Sequence, residues 1–316
     1  MRVRPGRGSR PRTRTRPRHS DARPGLVTTV DRGRYAVLVE DRQVTAVQAR
    51  ELGRRSVVVG DRVAVVGDVS GGSDALARIV RVEPRTTVLR RSADGGDEVE
   101  RVIVANADQL VVVTALADPP PRTGLIDRCL VAAYVGGLDP LLCLTKADLA
   151  PPDELLAAYS DLGVAAVTTS RGADLGPVRE RLDGRVSVLI GHSGVGKSTL
   201  VNALVPSAER ATGVVSAVGR GRHTSSSAVA LPLPDGGWVI DTPGLRSFGL
   251  GHVTPAALLA AFPDLAEGAE DCPRNCAHHS AEEGCRLDEY VASGHSTPGR
   301  LASFRRLLAA RTVNDR

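Results

Sequence analysis

The chain has 316 residues, of which 42% are hydrophobic and 24% are charged, and this size and composition predict two or three globular domains. No apolar run approaches the roughly 20 residues of a membrane-spanning helix. The five cysteines, an odd number, do not indicate a disulfide scaffold. These features exclude an integral membrane protein and a disulfide-stapled secreted module, so we expect a cytoplasmic monomer without a membrane partner.

The positive charge of the chain is concentrated at its start. Residues 1–24 carry nine arginines and one acid, Asp21, and so have a net charge of +8. Because the whole chain carries +5, the remaining residues carry −3. Prolines interrupt the segment too often for an amphipathic targeting helix. We predict a basic disordered tail over residues 1–24, which either binds phosphate backbones without reading their sequence or is only solvated.

Residues 25–90 predict a small β-barrel. Short valine-rich runs alternate with turn signals, and no segment has a convincing helical period. The predicted strands are Gly25–Val30, Arg34–Val39, Gln43–Val47, Arg62–Val66 and Ala77–Val82. Five short strands in a segment of this length indicate an OB-fold-like or SH3-like barrel. Tyr35 is its only aromatic residue, so any contact with nucleic acid would depend on arginine and backbone shape rather than on base stacking.

Residues 91–248 predict an α/β domain with a parallel sheet. Apolar runs suited to strands buried on both faces alternate with segments of helical spacing. In chain order these are strand Gln109–Thr114, helix Arg122–Val135, strand Leu141–Thr145, helix Asp153–Leu162, strand Val164–Thr169, helix Leu175–Leu182 and strand Arg185–Ile190. A further strand, Trp238–Ile240, follows later in the chain. This order is typical of nucleotide-binding sheets.

The chain contains only two lysines, and the first ends a buried strand in the sequence Thr145-Lys146-Ala147-Asp148. A carboxylate at Asp148 can accept hydrogen bonds from guanine N1–H and N2–H₂, which adenine does not offer. The stem of Lys146 would pack along the base. Thr145 stands where asparagine is commoner, and Ser170 would offer a backbone N–H to guanine O6. We predict that these four polar residues read guanine.

The second lysine lies in a glycine-rich loop between the strand that ends at Ile190 and a predicted helix. This strand–loop–helix context is the one that the phosphate-loop motif requires. Backbone N–H groups and the helix N-terminus favour phosphate, Lys197 would reach the β- and γ-phosphates, and Ser198 would bind Mg²⁺. The residues predicted to bind nucleotide are Gly191, His192, Ser193, Gly194, Val195, Gly196, Lys197, Ser198 and Thr199.

Two later segments have the character of nucleotide-sensing loops. Asp241 follows a strand, and its spacing from Lys197 suits a metal-linked carboxylate, with the N–H of Gly244 sensing the γ-phosphate. The polar segment 219–226 predicts a switch loop, in which Thr224 or Ser225 would be a second Mg²⁺ ligand. The alternative interpretation of that segment is a plain surface loop.

The residue after Gly244 is Leu245, where many GTPases place a glutamine that orients the attacking water. Leucine cannot donate or accept a hydrogen bond, so we predict slow intrinsic hydrolysis. His223 is the candidate for the missing role, since an imidazole can act as acid, base or hydrogen-bond partner near neutral pH. The alternative is that His223 contacts only RNA or solvent.

Residues 249–316 predict helices around a cysteine-rich insert. Thr254-Pro255 and Thr297-Pro298 are typical helix starts. The candidate metal ligands are Cys272, Cys276, His278 and Cys285. Three thiolates and an imidazole form a closed tetrahedral set suited to one structural Zn²⁺. His279 is the alternative to His278, although the Cys-x-His pattern favours His278.

The guanine motif precedes the phosphate loop, which is the reverse of the usual order. On these motifs, with Gly-Arg-Gly-Arg-His-Thr at 219–224 and Asp-Thr-Pro-Gly-Leu-Arg at 241–246, the chain resembles the circularly permuted GTPases of the ribosome small-subunit-dependent (RsgA/YjeQ-like) family. The resemblance covers nearly everything after the tail. It implies an OB-like barrel, a permuted P-loop GTPase domain and a helical zinc domain. The spacing of the first two cysteines is one residue shorter than is usual in the family.

The resemblance also implies a function. Members of the family dock on the small ribosomal subunit and its rRNA late in maturation, and the ribosome raises their low rate of GTP hydrolysis. An alternative is a nucleotide-gated RNA-binding module whose hydrolysis is incidental. An ATP-using P-loop enzyme is disfavoured by Asp148. Because the permutation places the Asp241–Gly244 switch next to the zinc domain, we also expect that switch to pass the γ-phosphate state to residues 250–316.

Overall fold

In the computed structural model, the described residues are 19–53, 56–72, 74–92, 100–206, 228–242, 250–281 and 284–311. Their strands are β1 Arg23–Asp31, β2 Arg34–Val39, β3 Arg42–Gln48, β4 Arg62–Gly67, β5 Ala77–Val82, β6 Val88–Ser92, β7 Glu100–Ala105, β8 Gln109–Ala115, β9 Asp139–Thr145, β10 Ala165–Thr168, β11 Val186–Ile190, β12 Val229–Pro232 and β13 Trp238–Asp241. Their α-helices are α1 Thr123–Gly136, α2 Asp153–Tyr159, α3 Gly176–Leu182, α4 Lys197–Leu204, α5 Pro255–Leu259, α6 Pro263–Gly268, α7 Leu287–Ala292 and α8 Pro298–Ala310. Short 3₁₀ turns follow at Arg50–Leu52, Ser160–Leu162 and Ala269–Asp271.

The first five strands close into a barrel. Their order is β1-β2-β3-β5-β4, and β4 pairs back to β1, so no strand edge is left open. β3 and β5 are parallel, whereas the other pairs are antiparallel. Alternate valines point inward because side chains in a strand have a period of two. The predicted OB-like barrel is confirmed.

A parallel sheet follows, in the order β10-β9-β8-β11-β13, with β12 antiparallel at its edge. Every residue of β8 is buried, as its apolar sequence predicts for a strand covered on both faces. β12 also pairs with β1 of the barrel, where Thr29 lies opposite Val229. The barrel and the parallel sheet are therefore joined by backbone hydrogen bonds through the edge strand β12.

A buried ion pair holds the segment that follows the last barrel strand, β5, against the barrel. The Asp61 side chain is fully buried, and the Arg85 guanidinium donates to its two carboxylate oxygens at 2.7 and 2.8 Å. The same guanidinium donates to the Ser56 carbonyl oxygen, and the Val58 N–H donates to Asp61. These bonds hold the segment before β4 against the segment after β5.

Replacing Arg85 with alanine is expected to lower the free energy of unfolding by about 3 kcal/mol, because it leaves a buried carboxylate without its cation. The matched control is Arg81→Ala, since the Arg81–Glu83 pair is exposed and should contribute less than about 1 kcal/mol. Urea unfolding followed by the fluorescence of Trp238, the single tryptophan, measures both. Equal unfolding midpoints for the two variants would contradict the assignment.

The C-terminal helices pack on α1 through aromatic rings. The Phe262 ring lies edge-on between Tyr134 of α1 and Phe304 of α8, with centroid distances of 5.5 and 5.3 Å. The predicted helix starts are confirmed, since the hydroxyl oxygens of Thr254 and Thr297 accept hydrogen bonds from backbone N–H groups of the first turns of α5 and α8. No helix among the described residues has the length and apolar character needed to cross a bilayer.

Candidate functional site

The phosphate loop lies at the carboxyl end of β11, in the middle of the parallel sheet. β11 pairs with β8 on one side and β13 on the other, although β9 and β10 come between β8 and β11 in the chain. The connections therefore reverse direction across the sheet between β8 and β11. Such a switch point is where open parallel sheets form their ligand crevice.

Two glycines of the loop are required by its geometry. A Cβ on Gly191 would lie 2.5 Å from the Val113 carbonyl oxygen of the neighbouring strand. Gly196 has a φ of 89°, a left-handed conformation that favours glycine, and Lys197 begins α4 directly after it. The loop thus wraps tightly above the sheet and presents backbone N–H groups at a helix N-terminus, an arrangement that favours a phosphate.

Lys197 and Asp241 meet above the edge of the sheet. The Lys197 ammonium donates to the Asp241 carboxylate, and the two side chains are only 11% and 24% exposed. Asp241 ends β13, the strand next to β11, so adjacent parallel strands deliver both groups to the same edge. Behind them, the buried Thr242 hydroxyl donates to the Leu189 carbonyl oxygen at 2.7 Å and fixes the chain after β13.

A cleft of about 670 Å³ opens beside this pair. All predicted phosphate-loop residues line it except Val195, which is fully buried beneath. Thr145, Lys146, Ser170 and Asp241 also line it. The structure thus brings three of the predicted guanine-side residues and most of the phosphate loop to one cavity. That size suits a nucleotide.

Asp148 is the exception among the guanine-side residues. Its side chain is exposed and is not part of the cleft wall. Gly172 and Ala173, which the sequence did not single out, do line the cleft directly after Ser170. They continue the loop that the prediction for Ser170 assigned to the base, and the signal at Gly172 itself is only that of a turn.

Thr145 connects the guanine motif to the phosphate loop. Its buried hydroxyl lies 2.5 Å from the Val195 carbonyl oxygen and 3.3 Å from that of Thr114. With one proton, the hydroxyl donates to the nearer carbonyl, which belongs to the phosphate loop. Lys146 has a φ of 55°, and its ammonium donates to the carbonyl oxygen of Asp118. The sequence could not reveal this last contact, because the acceptor is a backbone atom.

Replacing Thr145 with valine is expected to weaken GDP binding by about tenfold, because the buried carbonyl oxygen of Val195 loses its donor. Valine keeps the shape of threonine, and Thr145→Ser, which keeps the hydroxyl, should retain most of the affinity. Calorimetric titration with GDP measures both variants. If Thr145→Ser and Thr145→Val weaken GDP binding equally, the hydroxyl does not connect the guanine motif to the phosphate loop.

His192 is a buried polar residue of the phosphate loop, only 8% exposed. Its Nδ1 lies 2.9 Å from the Ser193 carbonyl oxygen, and because a carbonyl oxygen can only accept, Nδ1 donates this hydrogen bond. Of the other predicted residues, His223, Thr224, Ser225, Gly244 and Leu245 lie outside the described residues, as does most of the arginine-rich tail.

The predicted metal ligands converge in the C-terminal region. One donor atom from each of Cys272, Cys276, His278 and Cys285 lies within 4.8 Å of the others. The Sγ atoms of Cys272 and Cys285 are 4.0 Å apart, and His278 Nδ1 lies 3.7 Å from Cys285 Sγ. Tetrahedral zinc with bonds of about 2.3 Å to sulfur separates its sulfur ligands by about 3.8 Å, so the residues fit this metal.

The surroundings of the cluster support a metal centre. Arg305 of α8 donates to the His278 carbonyl oxygen at 3.2 Å and holds the Asp288 carboxylate with two bonds. Burial, together with the charges of Arg305 and His279, lowers the pKa of His278 and favours the neutral imidazole that binds metals. His279 is exposed and is not part of the cluster.

Comparisons with known proteins agree with this architecture. The model of the RsgA GTPase family matches residues 82–251. The small ribosomal subunit biogenesis GTPase RsgA of Gemmatimonas aurantiaca is 38% identical over 81% of this chain and 84% of its own length. The protein of that name from Azotobacter vinelandii is 39% identical over 81% of this chain and 75% of its own length.

Solved structures give the same result. YjeQ from Thermotoga maritima is 26% identical and superposes with a TM-score of 0.66, covering 93% of this chain and all of that chain. YloQ, described as a circularly permuted GTPase, is 25% identical with a TM-score of 0.65, covering 93% of this chain and 96% of its own. The reversed motif order, the joined barrel and sheet, and these likenesses lead to one conclusion: the chain belongs to the RsgA GTPase family.

Proposed function

We propose that this chain hydrolyses GTP in the biogenesis of the small ribosomal subunit, and that it docks on the subunit and its rRNA. The observation that carries the proposal is the cleft that joins the phosphate loop to Thr145, Lys146 and Ser170. The names of the curated relatives, small ribosomal subunit biogenesis GTPases, support the cellular role.

In this proposal the loop N–H groups and Lys197 bind the β- and γ-phosphates. They neutralise the charge that develops on the phosphoryl oxygens as the bond to the leaving group breaks. Ser198 and Asp241, with Thr224, would hold Mg²⁺, which would supply positive charge to the phosphates. The contact between Lys197 and Asp241 supports this division of roles, because it places a cation and a metal-type carboxylate side by side. Thr199 and Gly244 would add further contacts to the phosphates.

Guanine recognition is assigned to Thr145, Lys146, Asp148 and Ser170. Lys146 and Ser170 line the cleft from two different loops, and Thr145 fixes the loop of Lys146 to the phosphate loop. Asp148 would accept two hydrogen bonds from the base, and a site built on such bonds rejects a base that lacks the donors. The exposed Asp148 side chain lies two residues beyond Lys146 and would turn onto the edge of the base.

His223 is proposed to orient the attacking water, since Leu245 cannot. The small subunit would stimulate turnover by ordering the loop that carries His223. This arrangement explains why a chain with a complete phosphate loop would be slow alone.

The same proposal extends to the other parts of the chain. Residues 1–24 would be a basic tail, 25–90 the barrel, 91–248 the GTPase domain and 249–316 the zinc domain. The last two residues of the predicted tail, Arg23 and Pro24, belong to β1 and pair with β4. One structural Zn²⁺ would be held by the Cys₃His cluster and stabilise the cysteine-rich loop around it. The protein would act as a cytoplasmic monomer.

A second candidate is a nucleotide-gated RNA-binding module whose hydrolysis is incidental. The leucine at 245 and the arginines of residues 1–24 favour it. The two candidates differ in whether turnover responds to the small subunit. Both candidates predict binding to the subunit, so an observation of binding does not distinguish them.

The test of the nucleotide assignment compares GTP and ATP as competitors for binding. We expect GTP to bind at least about a hundredfold more tightly, because only guanine satisfies Asp148. In Asp148→Asn the amide can instead donate to the 2-oxo group of xanthine, so preference should move from GTP to xanthosine triphosphate. Equal affinity for GTP and ATP in the unmodified protein would reject the proposed guanine site.

A further inference from the structure

Two consecutive arginines of α8 reach in different directions. Arg305 holds Asp288 and the His278 carbonyl oxygen of the metal cluster. Arg306 lies with its guanidinium 4.8 Å from the centroid of the Tyr159 ring and donates to the Ala158 carbonyl oxygen at 3.1 Å. α8 is therefore fixed both to the cysteine-rich loop and to the end of α2.

Arg306 also reaches a buried carboxylate on α1. Asp127 has a side chain only 7% exposed, and its Oδ1 lies 3.3 Å from Arg306 Nε. The two atoms are at ion-pair distance but lack the alignment of a hydrogen bond, so the attraction is mainly one of charge. Burial raises the pKa of Asp127, and the nearby Arg306 charge opposes that shift. The Tyr159 hydroxyl donates to the carbonyl oxygen of Thr123, the first residue of α1.

These contacts converge on the helices that follow the loop of Asp118 and the loop of Lys146. α1 begins five residues after Asp118, whose carbonyl oxygen accepts from Lys146. α2 begins five residues after Asp148. Arg306 thus bridges the helix after the Asp118 loop, which holds Lys146, and the helix after the loop of Lys146 and Asp148. A shift of α8 would move α1 and α2, and with them the ends of the two loops that lead into these helices.

We propose that Arg306, acting through Asp127 and the end of α2, is a positioning residue for the guanine half of the nucleotide site. The C-terminal helix then sets how tightly the cleft holds the base. Among the described residues, the contacts of Arg306 are with Tyr159, Ala158 and Asp127 and not with the phosphate loop, so phosphate binding should change little. The inference rests on the proposed guanine-nucleotide function. Coupling of this kind is a difference in binding free energy between two sites and is measured as such.

The test uses the full-length protein and calorimetric titration with GDP and with inorganic tripolyphosphate. Arg306→Ala is expected to weaken GDP binding by about tenfold and to leave tripolyphosphate binding unchanged. Adding Asp127→Asn to Arg306→Ala should cause no further loss, since both changes break one connection. The matched control is Arg311→Ala, because Arg311 follows α8 and donates to the Val253 carbonyl oxygen, away from α1 and α2.

Several results would overturn the proposal. GDP affinity within twofold of the unmodified protein in Arg306→Ala would show no coupling. Equal loss of GDP and tripolyphosphate binding would show general damage to the fold, and additive losses in the double variant would show that Arg306 does not act through Asp127. An unmodified protein that binds ADP as tightly as GDP would instead reject the proposed function itself.

Discussion

Replacing Lys197 with alanine is expected to lower GTP turnover by about a thousandfold, because a preorganised cation aimed at the phosphoryl oxygens is lost. The Lys197 side chain is only 11% exposed and its ammonium contacts Asp241. Water that enters the cleft in the variant therefore does not supply the lost positive charge. Single-turnover hydrolysis at saturating GTP measures the chemical step without the contribution of binding.

The control for this variant is Arg78→Ala, which removes an exposed cation from the barrel and should not change the rate. Lys197→Arg is informative as well. A guanidinium is planar and wide, whereas the loop encloses a compact ammonium, so arginine should restore little of the rate. Turnover of Lys197→Ala within tenfold of the unmodified protein would reject the assigned role.

Replacing Cys276 with serine is expected to remove the metal and to unfold the cysteine-rich loop. A structural zinc ion contributes on the order of 10 kcal/mol to the folding of small zinc domains. In the structure, residues between 272 and 285 bring their four donor atoms together, and a metal bound there would hold this loop in place. Elemental analysis should find one zinc per chain in the unmodified protein and none in the variant. Amide exchange in residues 272–285 should become fast.

The neighbouring histidines provide the matched pair for this experiment. His278 lies in the cluster, whereas His279 is exposed. His278→Ala should therefore lose zinc, and His279→Ala should keep one zinc per chain. Retention of zinc in His278→Ala together with its loss in His279→Ala would reverse the ligand assignment.

The barrel and the parallel sheet were predictable because their local sequence patterns agree with their tertiary environment. β1, for example, was predicted as Gly25–Val30 and is observed as Arg23–Asp31. The prediction is close because both the inward-facing valines and the turn residues that follow mark this strand in the sequence. The edge strand β12, Val229–Pro232, was not predicted. It is short and ends in proline, and its partner in the barrel, Thr29, is some 200 positions earlier in the chain.

The hairpin of β6 and β7 was also missed, because arginines and a serine interrupt the apolar pattern of Val88–Ser92. Within the candidate site, the side chains that carry motif chemistry were predicted, since their types and spacing are set by phosphate and guanine. The contacts of the Asp118 carbonyl oxygen and of Arg306 were not, because a backbone acceptor and a bridge between distant helices leave no local sequence signal.

The permuted order suggests that the switch after Asp241 passes the γ-phosphate state to the C-terminal domain through its short tether. Residues 243–249 lie outside the described residues. The proposed action of Arg306 on Asp127 of α1 would be a second connection, on the guanine side of the cleft. The two connections can be told apart. The C-terminal domain should respond to the γ-phosphate through the first, whereas the second should change how tightly the base is bound.

The most direct test of the proposed function is GTP turnover with and without purified small ribosomal subunits. Turnover should rise by about tenfold or more with the subunits, because the partner completes a site that lacks a water-orienting glutamine. His223→Ala should bind the subunits and lose this stimulation. If the chain cosediments with the subunits in the presence of GTP and its turnover does not change, the subunit-stimulated GTPase account is contradicted and the RNA-binding alternative gains support.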